Sequence, residues 1–134
     1  MICCWRTCGL MPHRNRWAVV LLLACGLPAC VKTSQPIPAQ RWGSTTVKME
    51  THPSPPIVGM NEILIIASKP GGMPAFDMVV SLRSDPTRPW RQAIQDGNVG
   101  VFRRAIAVKQ LPATVEVELK HKQQAHVLTF ALAP

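Results

Sequence analysis

Hydrophobic and polar residues alternate along much of the chain in the pattern of β-strands. Residues 114–120 read TVEVELK, and residues 128–132 read LTFAL. Successive side chains of a strand point to opposite faces, so this period of two predicts strands with one buried face. Residues 61–67 (NEILIIA) form a segment of strand length that is continuously apolar after its first two residues. Such a run is typical of a central strand.

Proline and glycine clusters separate these runs, and no helical period is present after residue 30. Turn or loop segments are predicted at residues 52–56, 69–72, 85–89, 96–98 and 122–125. Further strands are predicted at residues 45–50, 76–82 and 99–108, while residues 90–95 are ambiguous. Six or seven short strands predict an all-β protein, an antiparallel β-sandwich of immunoglobulin-like shape.

Two adjacent arginines interrupt the alternation of one predicted strand. Arg103 and Arg104 follow one another within residues 99–108, so one charge falls on each face of the strand. We expect one of them to lie at an edge or to extend its charged end into water.

Residues 11–30 (MPHRNRWAVVLLLACGLPAC) have a different pattern. A basic head precedes the apolar run of residues 17–24, and a small residue precedes a cysteine. This three-part plan is typical of a secretory signal. The apolar run is shorter than the roughly 20 residues that a membrane-spanning helix needs. An uncleaved membrane anchor is the alternative interpretation.

Residues 27–30 (LPAC) resemble the lipobox of bacterial lipoproteins, although Pro28 is unusual there. The resemblance implies that the thiol of Cys30 is joined to diacylglycerol and that the new N-terminus at Cys30 is acylated. Several acyl chains anchor a protein stably, whereas a single chain binds a membrane only marginally. Cys25, in residues 22–25 (LLAC), is a competing site, but cleavage there leaves a shorter apolar run.

The expected organisation has three parts. Residues 1–29 are the signal peptide, with Met11 as an alternative start, residues 30–44 are the lipidated cysteine and a flexible tether, and residues 45–134 are the sandwich. Position 31 is valine rather than aspartate. By resemblance to enterobacterial lipoproteins, this favours the outer membrane. We therefore expect a lipid-anchored protein of the cell envelope that faces the periplasm.

The cysteine content and the charge limit which binding partners are expected. All five cysteines lie in the first thirty residues, so the later chain has no disulfide and no thiolate metal site. From residue 31 onward the chain has twelve Lys and Arg and seven Asp and Glu, which gives a net charge of +5. This charge indicates either a solvated basic surface or contact with anionic lipid or an acidic partner. Nucleic acid is not expected as a partner of an exported protein.

The candidate chemistry is sparse. No nucleophile, zinc-protease or phosphate-loop motif is present, so no catalytic activity is expected. His121 and His126 flank the predicted loop at residues 122–125 and could hold copper or zinc. The thioethers of Met49, Met60, Met73 or Met78 would suit Cu(I). The interpretation that the sequence favours is that both histidines are polar residues at the end of a hairpin and that the methionines fill gaps in the core. Trp90 is a candidate partner-binding aromatic, or a lid over one end of the sandwich.

Residues 53–132 resemble the YtkA-like/FixH-like family of exported domains. The matching features are residues 55–61 (PPIVGMN), 71–74 (GGMP), 96–102 (DGNVGVF) and 128–130 (LTF). The resemblance implies a small immunoglobulin-like domain, often membrane-tethered and in some members associated with copper handling or oxidase assembly. The family's Met-Pro-rich segment and aromatic-glycine motif are replaced here by residues 85–90 and 111–113.

Taken together, these features predict a lipid-anchored binding or accessory module of the cell envelope, with the membrane and an envelope protein as partners. The alternative is a periplasmic copper-handling protein with histidine and methionine ligands.

Overall fold

The computed structural model describes residues 35–134, which form two antiparallel β-sheets. The predicted signal segment, Cys25 and Cys30 lie outside the described residues. The first sheet contains β1 (Gln40–Trp42), β2 (Thr45–His52), β3 (Gly59–Ser68), β6 (Ile94–Gln95) and β7 (Val101–Val108). The second contains β4 (Val79–Arg83), β5 (Arg91–Gln92), β8 (Ala113–His121) and β9 (Gln124–Leu132).

The order of the strands is that of an immunoglobulin-like sandwich. The first sheet runs β1-β2-β3-β7-β6 and the second β5-β4-β8-β9. Apart from β1, these orders correspond to strands A-B-E-D and C′-C-F-G of immunoglobulin domains. The predicted fold class is therefore confirmed. The predicted central strand at residues 61–67 lies in β3, in the middle of its sheet.

One apolar core lies between the two sheets. Alternate residues of each long strand point inward, and their side chains are almost fully buried. Burial of apolar surface stabilises such a fold by roughly 25 cal/mol per Å². The most completely buried side chains include Val47, Ile63, Ile65, Val80, Leu82, Phe102, Val115, Val117, Leu119, Phe130 and Leu132.

Residues 90–95, which were ambiguous in the sequence, change sheet. β5 pairs with β4 in the second sheet, and β6 pairs with β7 in the first. Ala93 lies between them, is buried, and donates its N–H to Val80 O at 2.8 Å. The segment is therefore two strands of two residues each, and residues 35–134 contain nine strands rather than six or seven.

The ordered sheet begins earlier than predicted. Gln40 pairs with Val47 and Trp42 pairs with Thr45, so β1 is a strand within the predicted tether of residues 30–44. Gly43, with φ +58°, allows the two-residue turn into β2. The domain therefore starts at Gln40 or before it, not at residue 45, because these backbone groups already belong to the sheet.

Two local predictions are wrong. The strand expected over residues 76–82 begins at Val79, and Phe76 in the preceding connection is exposed. The loop between β8 and β9 has two residues rather than four, since His121 already pairs with Gln124. The turn residue Lys122 has φ +54°, as tight hairpin turns require.

Two residues of the family resemblance have clear structural roles. Asn61 is buried, and its side-chain amide forms three hydrogen bonds. Oδ1 accepts from Ile57 N at 2.9 Å, and Nδ2 donates to Ile57 O at 2.7 Å and to Gly59 O at 3.1 Å. It thereby fixes the loop that leads into β3. Gly100 has φ +74°, and a Cβ there would overlap the carbonyl oxygen of Ala67 and lie 3.0 Å from Ala75 N. Only glycine allows this close approach.

Candidate functional site: an arginine-lined groove

A groove of about 610 Å³ opens on the side of the sandwich. It is bordered by the second half of β7, the end of β4, and the β4–β5 connection at residues 84–90. Five of the six arginines in residues 35–134 line it, and none of the five lysines does. We call it the arginine groove and define it by Arg83, Arg88, Arg91, Arg103 and Arg104.

An Asx turn shapes the connection that carries Arg88. Asp85 Oδ1 accepts hydrogen bonds from Thr87 N (2.9 Å) and Thr87 Oγ1 (2.8 Å), and Arg88 N donates to Asp85 O at 2.9 Å. The backbone N–H and the hydroxyl of Thr87 hold the pKa of the Asp85 carboxyl below its ordinary value. Aspartate commonly stabilises turns in this way. The turn sets the position of Arg88 relative to β4.

Two of the five guanidinium groups are held by partners inside the domain. Arg83 Nε donates to Glu116 Oε2 at 2.5 Å, and its Nη1 donates to Pro86 O at 3.1 Å. The same guanidinium lies over the ring of Trp90, with Cζ 4.3 Å from the ring centroid. Arg103 forms an ion pair with Asp96. These two arginines are neutralised and oriented.

The other three guanidinium groups have no such partner in the part of the chain that the structure describes. Within residues 35–134, no carboxylate lies at ion-pair distance from Arg88, Arg91 or Arg104. Glu62 is the one carboxylate that lines the groove within the described part of the chain. The groove therefore carries an excess of positive charge.

Arg103 and Arg104 divide between the two faces of β7 as the sequence suggested. Arg103 is on the exposed face of β7. Arg104 is half-buried and lies on the same, inward face of the strand as Phe102 and Ile106. The charge of Arg104 is tolerated on this inward face because the space beside it is the open groove rather than the core.

The floor of the groove includes an uncovered edge of a β-sheet. Among the described strands, β6 pairs only with Phe102 and Arg103 of β7, so none of them lies beside the rest of β7 on that side. Ser84 Oγ donates to Ala107 O at 3.0 Å, which shows that the Ala107 carbonyl points away from β3. Backbone groups alternate sides along an antiparallel strand, so those of Ala105 point the same way. They face the groove without a ladder partner among the described strands.

Two apolar side chains flank the charged surface. Met60 at the start of β3 is 60% exposed, and Ile94 in β6 is 66% exposed, and both line the groove. Long apolar side chains at the rim of a charged cleft can cover the aliphatic parts of a bound ligand. The groove therefore offers charge, free backbone groups and apolar contacts together.

Trp90, the candidate partner-binding aromatic, is a neighbour of this groove. Its ring is half-buried and stacks with the Arg83 guanidinium. Its neighbours in sequence, Pro89 and Arg91, line the groove. In this arrangement Trp90 positions Arg83.

The histidines proposed for copper have separate neighbours. His121 Nε2 lies 3.2 Å from Asp77 Oδ2, and Asp77 Oδ1 also pairs with Lys69 at 3.4 Å. His126 pairs with Leu119 across the hairpin rather than with His121, and its ring stacks on Trp42. Residues 35–134 contain no group of three or more His, Cys, Asp or Glu able to hold a metal ion.

The methionines considered as copper ligands are also spread out. Met49 and Met78 belong to the buried core, whereas Met60 and Met73 are exposed. Met78 alone among them lines the same small cavity as His121. A site that combines both histidines with several thioethers is not present among these residues.

The sequence pointed to Trp90, Arg103 and Arg104 one by one, but not to the groove. The available signal was the density of arginine in residues 83–91 (RSDPTRPWR), since a total of charges does not show where they lie. Their convergence with β7 depends on how the two sheets pack.

Comparison with known proteins adds no relative, since no family model, curated protein or solved structure matches this chain. The YtkA-like/FixH-like resemblance stays a prediction. Within residues 35–134, no helix has the length and apolar character needed to cross a bilayer.

Proposed function

We propose that this protein is a lipid-anchored binding or accessory module of the cell envelope, without catalytic activity. Cys30 carries the lipid, and the sandwich faces the periplasm and binds an envelope protein. The observation that supports the binding role is the arginine groove, with three guanidinium groups unpaired among the described residues.

The chemistry of guanidinium favours binding over catalysis. Arginine stays protonated in proteins and has five N–H donors in a planar fork, but no acceptor. It can hold an anionic group, but it does not accept a proton as a general base does. The groove is therefore suited to recognition.

The anchor is supported by the sequence. A basic head, an apolar run and the LPAC segment precede the domain, and no cysteine follows Cys30. Gln35 is the fifth residue after Cys30, so an extended chain between them reaches at most about 18 Å. A lipid on Cys30 would keep the sandwich next to the membrane surface.

Copper handling, with His121 and His126 as ligands, gains no support from their surroundings. One imidazole already faces a carboxylate, and the other is stacked on an indole. We therefore retain the binding module as the proposed function.

Labelling with a palmitate analogue tests the anchor. The full chain, produced in bacterial cells, should incorporate the label and sediment with membranes, and Cys30→Ser should abolish both. Cys25→Ser is the matched control and should leave them unchanged. Label retained in Cys30→Ser but lost in Cys25→Ser would move the anchor to Cys25. An unlabelled parent chain would remove the anchor from the proposal.

Site-specific photo-cross-linking tests the binding role. A photoreactive phenylalanine derivative at position 94, on the groove rim, should give a discrete adduct in the envelope fraction. The same group at position 127 is the control, because Val127 is exposed but lies on β9, outside the groove. Absence of a discrete adduct at position 94, or equal adducts at both positions, would count against a partner at the groove.

A further inference from the structure

We infer that the arginine groove binds an acidic segment of a protein partner in extended conformation, held through its carboxylates. This inference rests on the proposed binding function and names the chemical class of the partner.

The charge of the groove selects an anion. Arg88, Arg91 and Arg104 have no carboxylate within ion-pair distance in residues 35–134, and Glu62 alone opposes them among the lining residues. The pKa of Asp85, below its ordinary value chiefly through Thr87, is lowered further by the charges of Lys109 and Arg88. A ligand with several negative charges would complete the pairing that the domain leaves unmade.

The residue type indicates carboxylates or similar planar anions. All lysines of residues 35–134 lie outside the groove, although they would supply the same charge. Arginine differs from lysine by its rigid fork, which bonds both oxygens of a carboxylate at once. Concentration of arginine in one cleft therefore points to specific anion recognition rather than to general surface charge.

The free backbone edge indicates that the anions are carried on a polypeptide. The N–H and C=O of Ala105 face the groove, and no strand within residues 35–134 lies beside them there. An extended peptide can bond these groups and direct alternate side chains to either side. Met60 and Ile94 provide apolar contacts for the rest of such a segment.

The shape of the groove favours a peptide over a membrane surface. Arg104 is half-buried between the two sheets, where a flat layer of phospholipid headgroups would not reach it. An acidic side chain projecting from an extended strand can enter such a cleft. We therefore commit to a protein segment as the occupant.

Titration of the full chain in non-ionic detergent with a fluorescent peptide of alternating glutamate and threonine tests this assignment. We expect saturable binding that weakens as salt rises. The variant Arg88→Gln/Arg91→Gln/Arg104→Gln should bind roughly tenfold or more weakly, since it removes the unpaired guanidinium groups. A peptide with proline in place of threonine keeps the charge but lacks the backbone N–H at every second residue. It should also bind more weakly, because those N–H groups can no longer donate to the free edge of β7.

The matched control changes the same charge elsewhere. Arg41→Gln/Lys48→Gln/Lys122→Gln removes three exposed cations outside the groove and should bind the peptide almost as the parent does. Thermal unfolding of both triple variants checks that they fold. If the groove variant does not fold, Arg91→Gln, at an exposed position, replaces it and should still weaken binding.

Three outcomes would overturn the inference. Equal loss in the two triple variants would show that overall charge, not the groove, binds the peptide. Groove-dependent binding to phosphatidylglycerol vesicles without peptide binding would assign the site to lipid. No peptide binding, alongside a discrete adduct from position 94, would exclude the acidic segment and leave the proposed binding function standing.

Discussion

The indole of Trp42 stacks on the imidazole of His126, with the ring planes 2° apart and the centroids 6.4 Å apart. Trp42 belongs to β1, at the edge of the first sheet, and His126 belongs to β9, at the edge of the second. Gln40 Nε2 also donates to Thr129 O of β9 at 2.6 Å. The short first strand therefore joins the two sheets along one side of the sandwich.

Replacement of Trp42 by alanine should destabilise the domain. The ring packs against the core as well as on His126, so we expect Trp42→Ala to lower the free energy of unfolding by about 2 kcal/mol. Arg41→Ala, at the neighbouring exposed position, should change it by less than about 0.5 kcal/mol. Urea unfolding of the purified protein measures both. Equal effects would mean that β1 does not stabilise the sandwich.

Loss of the Asn61 side chain should loosen the loop before β3. Asn61→Ala removes three hydrogen bonds and leaves backbone groups of Ile57 and Gly59 without these partners. We expect a loss of about 2–3 kcal/mol in the free energy of unfolding, as for buried polar groups left unpaired. Asn98→Ala, in an exposed turn, is the control for loss of an asparagine. A small effect at position 61 would contradict this role.

Two glycines with positive φ separate backbone strain from steric overlap. Gly97 has φ +56° and open space around it, whereas a Cβ on Gly100 would overlap Ala67 O. Gly97→Ala should lower the free energy of unfolding by about 1 kcal/mol through backbone strain alone, and Gly100→Ala should lower it by clearly more. Thermal or urea unfolding of the two variants gives the comparison. Equal costs would show that the backbone near Gly100 moves away readily.

The pKa of Asp77 predicts a dependence of stability on acid pH. Its own backbone N–H, and then Lys69 and His121, lower the pKa of this carboxyl below 3.8, while partial burial opposes them. A lowered folded-state pKa stabilises the fold above the unfolded-state pKa, and this contribution disappears as pH falls through the folded-state value. Stability attributable to Asp77 should therefore decline below about pH 4.

Carbon-detected NMR titration of Asp77 measures this directly. Lys69→Gln should raise the pKa of Asp77 toward 3.8, because it removes the ammonium 3.4 Å from Oδ1. Lys120→Gln is the control: the ammonium of Lys120 pairs with Glu118, so its loss should leave the pKa of Asp77 unchanged. A parent pKa of 3.8 or above would contradict the prediction.

Much of the fold could be predicted because every second residue of a strand in a sandwich is buried and therefore apolar. Val115, Val117 and Leu119 are inward in β8, and Leu128, Phe130 and Leu132 are inward in β9, as their spacing indicated. Prolines and glycines marked the ends of strands for equally local reasons. The Phe76 prediction was wrong because a loop crossing the end of the sandwich can also show an alternating pattern.

The candidate site was harder, since it depends on which residues meet across the fold. Arg104 and Arg88 are brought together only because the chain changes sheet at Ala93 and leaves part of the β7 edge uncovered. The two histidines are not directly paired across the hairpin, because its turn is two residues shorter than expected: His121 pairs with Gln124, and His126 pairs with Leu119.

The sequence by itself therefore determined the fold class, most of the strands and the core, because side-chain period and turn chemistry act over a few neighbouring residues. The tertiary structure alone decided the pairing of β1, the partners of His121 and His126, and the arginine groove. These depend on strand register and on the packing of one sheet against the other, where residues far apart in the chain become neighbours.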